Sequence, residues 1–333
     1  DTDSTQARRA RRRIQRRKEP LILLKKNSLP LTLICLFLFM GTLLLFPGQC
    51  LSFALTGLNL WFQKMIPSLF PFMVLSGILI RMDLTDRFVS LLRPLLTPVF
   101  RVNTDCLYVI IIGFLCGFPM GAVAVTDLYK KRRLSVTEGE FLLSFCNNIG
   151  PVYFISFALP SMGNPPLLPC LFGMYGIPLL YGIVLRHTRY RCKLSASARK
   201  TPVLCQASYE KEASLLAALD ESVTVSLHSI TKLGGYMILF QILNVYPSLF
   251  LKQGLYPGIA QGLLEISGGL ALLQDTSPCI SLILLVFCGL CCLAQTGSVL
   301  AGSPFSLICY FKNRLCLTIL CALYYVVFFS VTA

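Results

Sequence analysis

The chain has 333 residues, of which 55% are hydrophobic and 14% charged, and its mean hydropathy is +0.70. Such a composition excludes an ordinary soluble domain and places the chain in a bilayer. The net charge of +15 would suit nucleic acid, but 27 of the 30 Lys and Arg residues fall in a tail and four short stretches, as membrane topology signals do.

A spanning helix needs about 20 mostly apolar residues, and nine segments qualify in chain order: 29–47, 65–80, 106–125, 141–160, 166–185, 229–247, 256–273, 279–300 and 315–332. Residues 1–27 precede them as a basic tail that includes "RRARRRIQRRK". This tail is expected to be cytoplasmic, without fixed structure, and in contact with anionic lipid. Residues 28–50 then form an uncleaved first anchor, because "FPGQC" offers no small residue directly before Cys50 for a signal or lipoprotein cleavage. The protein is therefore read as multi-pass in a cell membrane, with its N-terminus inside.

The stretches 81–101, 130–133 and 186–211, together with Lys312 and Arg314, should share the cytoplasmic side with the tail. A full span at 106–125 would put "KKRR" (130–133) on the wrong side. The conflict disappears if that segment enters and leaves on one side, turning at the Gly/Pro-rich "GFPMG". Non-helical backbone at membrane depth is tolerated where protein or a water-filled cavity satisfies it, so Gly117, Pro119 and Gly121 are candidate cavity-lining residues. The same side rule makes 256–273 a second re-entrant segment.

In 141–160, Asn147 and Asn148 are followed by Gly150 and Pro151. Two adjacent amides point in different directions, and one neighbouring helix is ill placed to satisfy both. Polar groups inside a membrane tend to mark pathways, and by the same reasoning the intramembrane carboxylate of Glu265 in "QGLLEISGGLALL" is a candidate ligand for a solute. Gln295 and Thr296 in "LAQTGS" supply the remaining polar interruption.

The segments 54–79 and 218–243 align without gaps with eight of 26 positions identical, among them Leu69 with Leu233 and Met73 with Met237. The charge rule runs these two segments in opposite directions. The expectation is a pair of inverted repeats, 51–186 and 212–333, joined by a basic cytoplasmic linker at 187–211, with the site at their interface as in many secondary transporters. The first part of each repeat, 51–64 and 212–227, reads as a helix lying along the membrane surface. The fifteen cysteines lie mostly in apolar segments, where they serve as small hydrophobes. "CGLCC" lacks the second pair that a structural zinc site needs, so neither metal nor cofactor is expected. An enzyme is not expected either, since no nucleophile sits beside a base and no two-carboxylate site occurs.

"GFLCGFPMGAVAVTDLY", "LSFCNNIGPVYF", "GLLEISGGLALL", "FCGLCCLAQTGSVL" and "YFKNRL" occur in that order. The series resembles the YlbJ-like sporulation integral membrane proteins, which carry the nucleoside-recognition or Gate domain. The resemblance runs from about Leu51 to Val331. It implies an endospore-forming bacterium, a role in spore formation, and an all-α polytopic fold similar to part of the concentrative nucleoside transporters. The resulting reading is a protein that transports or recognises a small polar solute through Gly117, Pro119, Gly121, Asn147, Asn148, Glu265, Gln295 and Thr296. The alternative is a structural or assembly protein of the spore envelope on a transporter-like scaffold. The bilayer, a small polar solute and a second copy of the chain are the partners to test; nucleic acid is not expected.

Overall fold

The structure is a computed structural model, which describes residues 30, 32–192, 194, 215–251, 255–274, 276 and 278–332. The basic tail and most of the linker at 187–211 lie outside the described residues. Among the described residues every regular element is a helix. Five helices are long and apolar enough to cross a membrane, or six if Arg93–Phe100 and Thr104–Leu115, bent by 108°, count as one broken span.

The chain divides into two compact units, Asp1–Ser52 and Phe53–Ala333. The first contributes an apolar helix, α1 (Thr32–Leu45). The second takes in most of α2 (Pro47–Arg81), a helix 35 residues long with a π-helical turn at Trp61–Met65. After it come α3 (Thr85–Ser90), α4 (Arg93–Phe100), α5 (Thr104–Leu115), α6 (Met120–Lys130), α7 (Val136–Leu143), an interrupted helical stretch over 151–162, and α8 (Leu167–His187). The order then recurs: long α9 (Leu215–Phe250), short α10 (Leu255–Leu264) and α11 (Ile266–Leu272), broken pair α12 (Pro278–Phe287) and α13 (Gly289–Leu300), and a last long helix α14 (Leu307–Thr332).

The two regions expected to lie along the membrane surface are instead continuous with the spans that follow them, so α2 and α9 are single long helices. They pack side by side. Trp61 at the π turn reaches across to donate to the Ile230 carbonyl at 2.8 Å, and its ring fills the place that a side chain at 234 would need, which is why Gly234 stands there.

α14 shows the solvent its surface was built for. Its exposed residues Ile319, Leu323, Val327 and Val331 recur every four residues and form an apolar outer stripe, while Arg314, Leu317, Cys321 and Tyr325 are buried. Water would favour the reverse arrangement; lipid favours this one.

Both short pairs, α5 with α6 and α10 with α11, fold back on themselves. In the first, Arg133 beyond the end of α6 bonds Asp83 and Asp105 and donates to Thr85 at 3.0 Å, so the segment finishes where it began. Lys131 donates to the Ile80 carbonyl at the same end. Burial, with Arg81 and Arg133 nearby, lowers the pKa of the Lys131 ammonium; at Arg133 burial opposes the charge, but Asp105 and Asp83 outweigh it and raise the pKa. Buried Arg186 joins this end by donating to the carbonyls of Phe100 (2.7 Å) and Arg101 (3.0 Å). Three of the basic stretches thus gather at one end of the bundle. In the second hairpin, a Cβ on Gly269 would strike the Gly262 backbone and one on Gly258 would strike Leu273, so α11 folds back flat against α10.

Arg314 departs from its expected place. It was counted with Lys312 as a charge at the membrane face, yet it is 5% exposed and lies inside α14 among the broken helices.

Candidate functional site

The segment 144–150 between α7 and the 151–162 helix is not helical, and the glycine series of the first hairpin explains how it is held. A Cβ on Gly113 or Gly121 would collide with the Cys146 carbonyl, and one on Gly117 would collide with the Gly150 backbone. Gly117 also has φ +75°, a left-handed conformation that glycine adopts at least cost. The three glycines therefore form a floor on which a second backbone lies, and they do not line an open cavity. Pro119 follows a cis peptide bond at the hairpin tip, and the Phe118 amide donates to the Asn148 carbonyl.

A helix broken inside a membrane leaves carbonyls and amides without intrahelical partners. Here one side chain serves both breaks. Arg314 Nη1 donates to Asn148 Oδ1 and to the Val286 carbonyl, each at 3.1 Å, while Nη2 donates to the Asn147 carbonyl and to the Tyr310 hydroxyl. Val286 lies just before the second break, at Cys288, which has φ +69°. The Asn147 amide nitrogen donates to Tyr310 (3.1 Å) and Thr296 (3.3 Å), and its oxygen accepts from the Ala122 amide near the start of α6. Asn148 also donates to the Phe145 carbonyl at 2.7 Å. Asn147, Asn148 and Thr296 thus belong to a saturated buried network around Arg314.

Glu265 and Gln295 face a different space. A cavity of about 50 Å³ is lined by Phe118, Gly150, Tyr153, Glu265, Ser267 and Gln295, with Met65, Leu69, Leu233 and Met237 from the two long helices. It lies where two groups of core side chains meet, one containing Leu69, Met237 and Cys291 and the other Ile149, Tyr153 and Ile266.

Glu265 is the residue on which the second hairpin turns. Its backbone is extended (φ −141°, ψ 117°), and its carboxylate caps α11 by accepting from the Gly268 amide at 2.9 Å. The same oxygen accepts from Gln241 Nε2 at 2.6 Å, and Asn244 holds Gln241 from behind at 2.8 Å. Tyr153 and Ser267 share a hydrogen bond of 3.0 Å on another wall. Gln295 donates to the Cys291 sulfur at 3.0 Å, but its carbonyl oxygen is buried without a partner. Whichever way that amide is turned, one polar end is left unpaired at the cavity, and an unmet buried polar atom costs about 1–3 kcal/mol.

The site residues read from the sequence therefore separate into three places. Gly117, Pro119 and Gly121 form a backbone seat; Asn147, Asn148 and Thr296 join the Arg314 network; Glu265 and Gln295 line the cavity. Tyr153, Ser267 and Gln241 complete the lining or its support and were not read. The sequence offers no periodic signal for them, since a tyrosine, a serine and a glutamine at helix positions read equally as packing. Among the described residues no group of three or more Cys, His, Asp or Glu side chains could hold a metal ion.

Helices long and apolar enough to cross a membrane, short helix pairs folded back between them and an apolar outer stripe define an all-helical polytopic membrane protein. A family model described as nucleoside recognition, Gate, matches residues 62–160, which include the first hairpin and the Asn147–Asn148 break but neither Glu265 nor Gln295. The sporulation integral membrane protein YlbJ of Bacillus subtilis (strain 168) is 30% identical over 233 residues, covering 66% of this chain and 57% of its own length. The chain thus spans little more than half the length of that curated relative. Both matches are likenesses over part of the chain, one to a Gate domain and one to an integral membrane protein of the YlbJ kind. No solved structure matches it significantly.

Proposed function

We propose that the protein recognises or transports a small polar solute at the Glu265 cavity, in the membrane of an endospore-forming bacterium, and that this activity serves spore formation. The observation that carries the reading is the unpaired Gln295 oxygen beside a cavity that also holds a buried carboxylate. Intramembrane ionisable groups mark substrate or ion pathways by default. The surroundings are rich in acceptors, so they suit a solute that donates hydrogen bonds. The recurring order of long helix, hairpin, broken helix and long helix supports an inverted repeat with the site at its interface. The gathering of three basic stretches at one end supports a cytoplasmic placement of that end. At about 50 Å³ the cavity is far below the 300–1,000 Å³ of a pocket that encloses an organic ligand. A nucleoside would therefore enter only after the helices around it separate.

The test is thermal stability of the detergent-purified protein against nucleosides, amino acids, and small organic anions and cations, for wild type and Glu265→Gln. A solute that binds the native state raises its apparent stability. The reading stands if a compound stabilises wild type and loses that effect in the variant. A second reading, a structural or assembly protein of the spore envelope, is favoured by the saturation of the Arg314 network. It gains if no compound stabilises wild type and Glu265→Gln lowers the melting temperature alone.

A further inference from the structure

A second cavity, of about 30 Å³, lies on the same seam. The Glu265 cavity takes Met65 and Leu69 from α2 and Leu233 and Met237 from α9; the second takes Met73, Ser76 and Ile80 from α2 and Ser222, Ser226 and Ser229 from α9. Leu69 to Met73 and Ser229 to Leu233 are each one helical turn, about 6 Å along the axis. The first hairpin walls both spaces, with Phe118 at one and Met120, Ala124 and Asp127 at the other. The two cavities are therefore successive compartments of one seam, closed from each other by Leu69 and Met73 on one helix and Ile230 and Leu233 on the other, all buried.

Most polar groups of the outer compartment are occupied. Ser76 bonds the Tyr108 hydroxyl at 2.8 Å, Ser222 donates to the Ala218 carbonyl, and Ser229 donates to the Val225 carbonyl. Arg81 pairs with Glu221 at 3.1 Å and donates to Ser222 and to the Gly77 carbonyl. Two groups are left over. The Ser226 hydroxyl, on a residue 4% exposed, and the Asp127 carboxylate both line the space and make no hydrogen bond to any described residue. Arg81 also lines the space and acts on Asp127 together with Lys130 and Lys131, but its Nε is paired with Glu221 and its Nη1 is taken up by Ser222 and the Gly77 carbonyl, so the Asp127 carboxylate is the charged group there with hydrogen-bonding capacity left to offer an occupant. Each compartment thus presents one carboxylate with a neighbouring acceptor: Asp127 with Ser226 outside, Glu265 with Gln295 inside.

We propose that the outer compartment is a binding vestibule for a small, positively charged, hydrogen-bond-donating solute, and that the α2–α9 seam conducts that solute to Glu265 through the Leu69, Met73, Ile230 and Leu233 gate. This rests on the Glu265 cavity being a solute site and names the class of solute. An anion would meet a carboxylate in each compartment; an amine or other small cation meets one acceptor cluster and then the next.

The test needs no identified ligand. Ser226→Cys is introduced into the full chain in detergent, and labelling of the introduced thiol is followed by peptide mass spectrometry with two methanethiosulfonate reagents, one carrying trimethylammonium and one carrying sulfonate. The cationic reagent should react about three- to tenfold faster, the effect of a nearby carboxylate at intermediate dielectric, and Asp127→Asn should erase the preference. Ser229→Cys, at a more exposed position of the same lining, serves if Ser226→Cys does not keep the wild-type melting temperature. A folded variant that neither reagent labels, or that both label equally, overturns the vestibule. Solute stabilisation that depends on Glu265 but occurs without labelling at 226 or 229 overturns the vestibule and leaves the inner site standing. Charge-selective labelling without any stabilising solute supports the vestibule and counts against the Glu265 reading alone.

Discussion

The two hairpins share an architecture and divide the work. The first turns at Gly117–Pro119 with backbone alone, and its glycines seat the extended 144–150 segment. The second turns at a single ionisable residue, and its tip is a wall of the cavity. One hairpin thus supplies at its tip a backbone seat in which side chains are excluded, and the other supplies an ionisable side chain at its turn. A glycine-rich break and a carboxylate break differ in what a mutation removes.

The comparison breaks most completely at the residue both halves share. Arg314→Met should leave two carbonyls and an amide oxygen unmet in the interior and cost about 3–5 kcal/mol, seen as the largest fall in melting temperature. Arg314→Lys should recover only part of it, because an ammonium cannot reproduce a forked donor. Next, Gly117→Ala should cost about 2–4 kcal/mol through a left-handed backbone and a collision with Gly150, with Gly121→Ala somewhat milder; a melting temperature within error of wild type for both would remove the idea of a backbone seat. In the other hairpin, Glu265→Gln should cost only about 1–2 kcal/mol, because the amide keeps one acceptor for Gly268, while abolishing solute-dependent stabilisation. The smallest effect belongs to Tyr153→Phe, which loses one hydrogen bond worth about 0.5–1 kcal/mol and should weaken solute binding more than it lowers stability. If Tyr153→Phe proves as damaging to folding as Gly117→Ala, the division between seat and site fails.

Much of this arrangement was legible in the sequence, for physical reasons that also mark where reading stops. The side expected of "KKRR" leads to a reading in which 106–125 returns on itself, and Arg133 after it meets Asp83 and Asp105 before it. Glu265 and Gln295 stand out in the sequence because a bilayer makes isolated polar groups conspicuous. Asn147 and Asn148 stand out for the same reason, but a sequence shows that an amide needs a partner and not that the partner is 166 residues away. Arg314 was misread because an arginine two residues beyond a lysine near a helix start looks like a topology signal. Its inward position depends on the outer stripe of Ile319 and Leu323, which turns the opposite face of α14 to the core.

The length of the seam helices has a mechanical consequence. At 1.5 Å per residue, the 36 residues of α9 reach about 54 Å, against a hydrocarbon core of about 30 Å. A rod that overshoots its slab must lean or stand proud of it, and leaning is the usual accommodation. α2 is nearly as long and lies against α9, so the angle of the pair is tied to the thickness of the membrane that holds them. A thinner bilayer rewards a greater lean and a thicker one a more upright stance. The protein thereby carries a gauge of its surrounding lipid in the same two rods that close its interior.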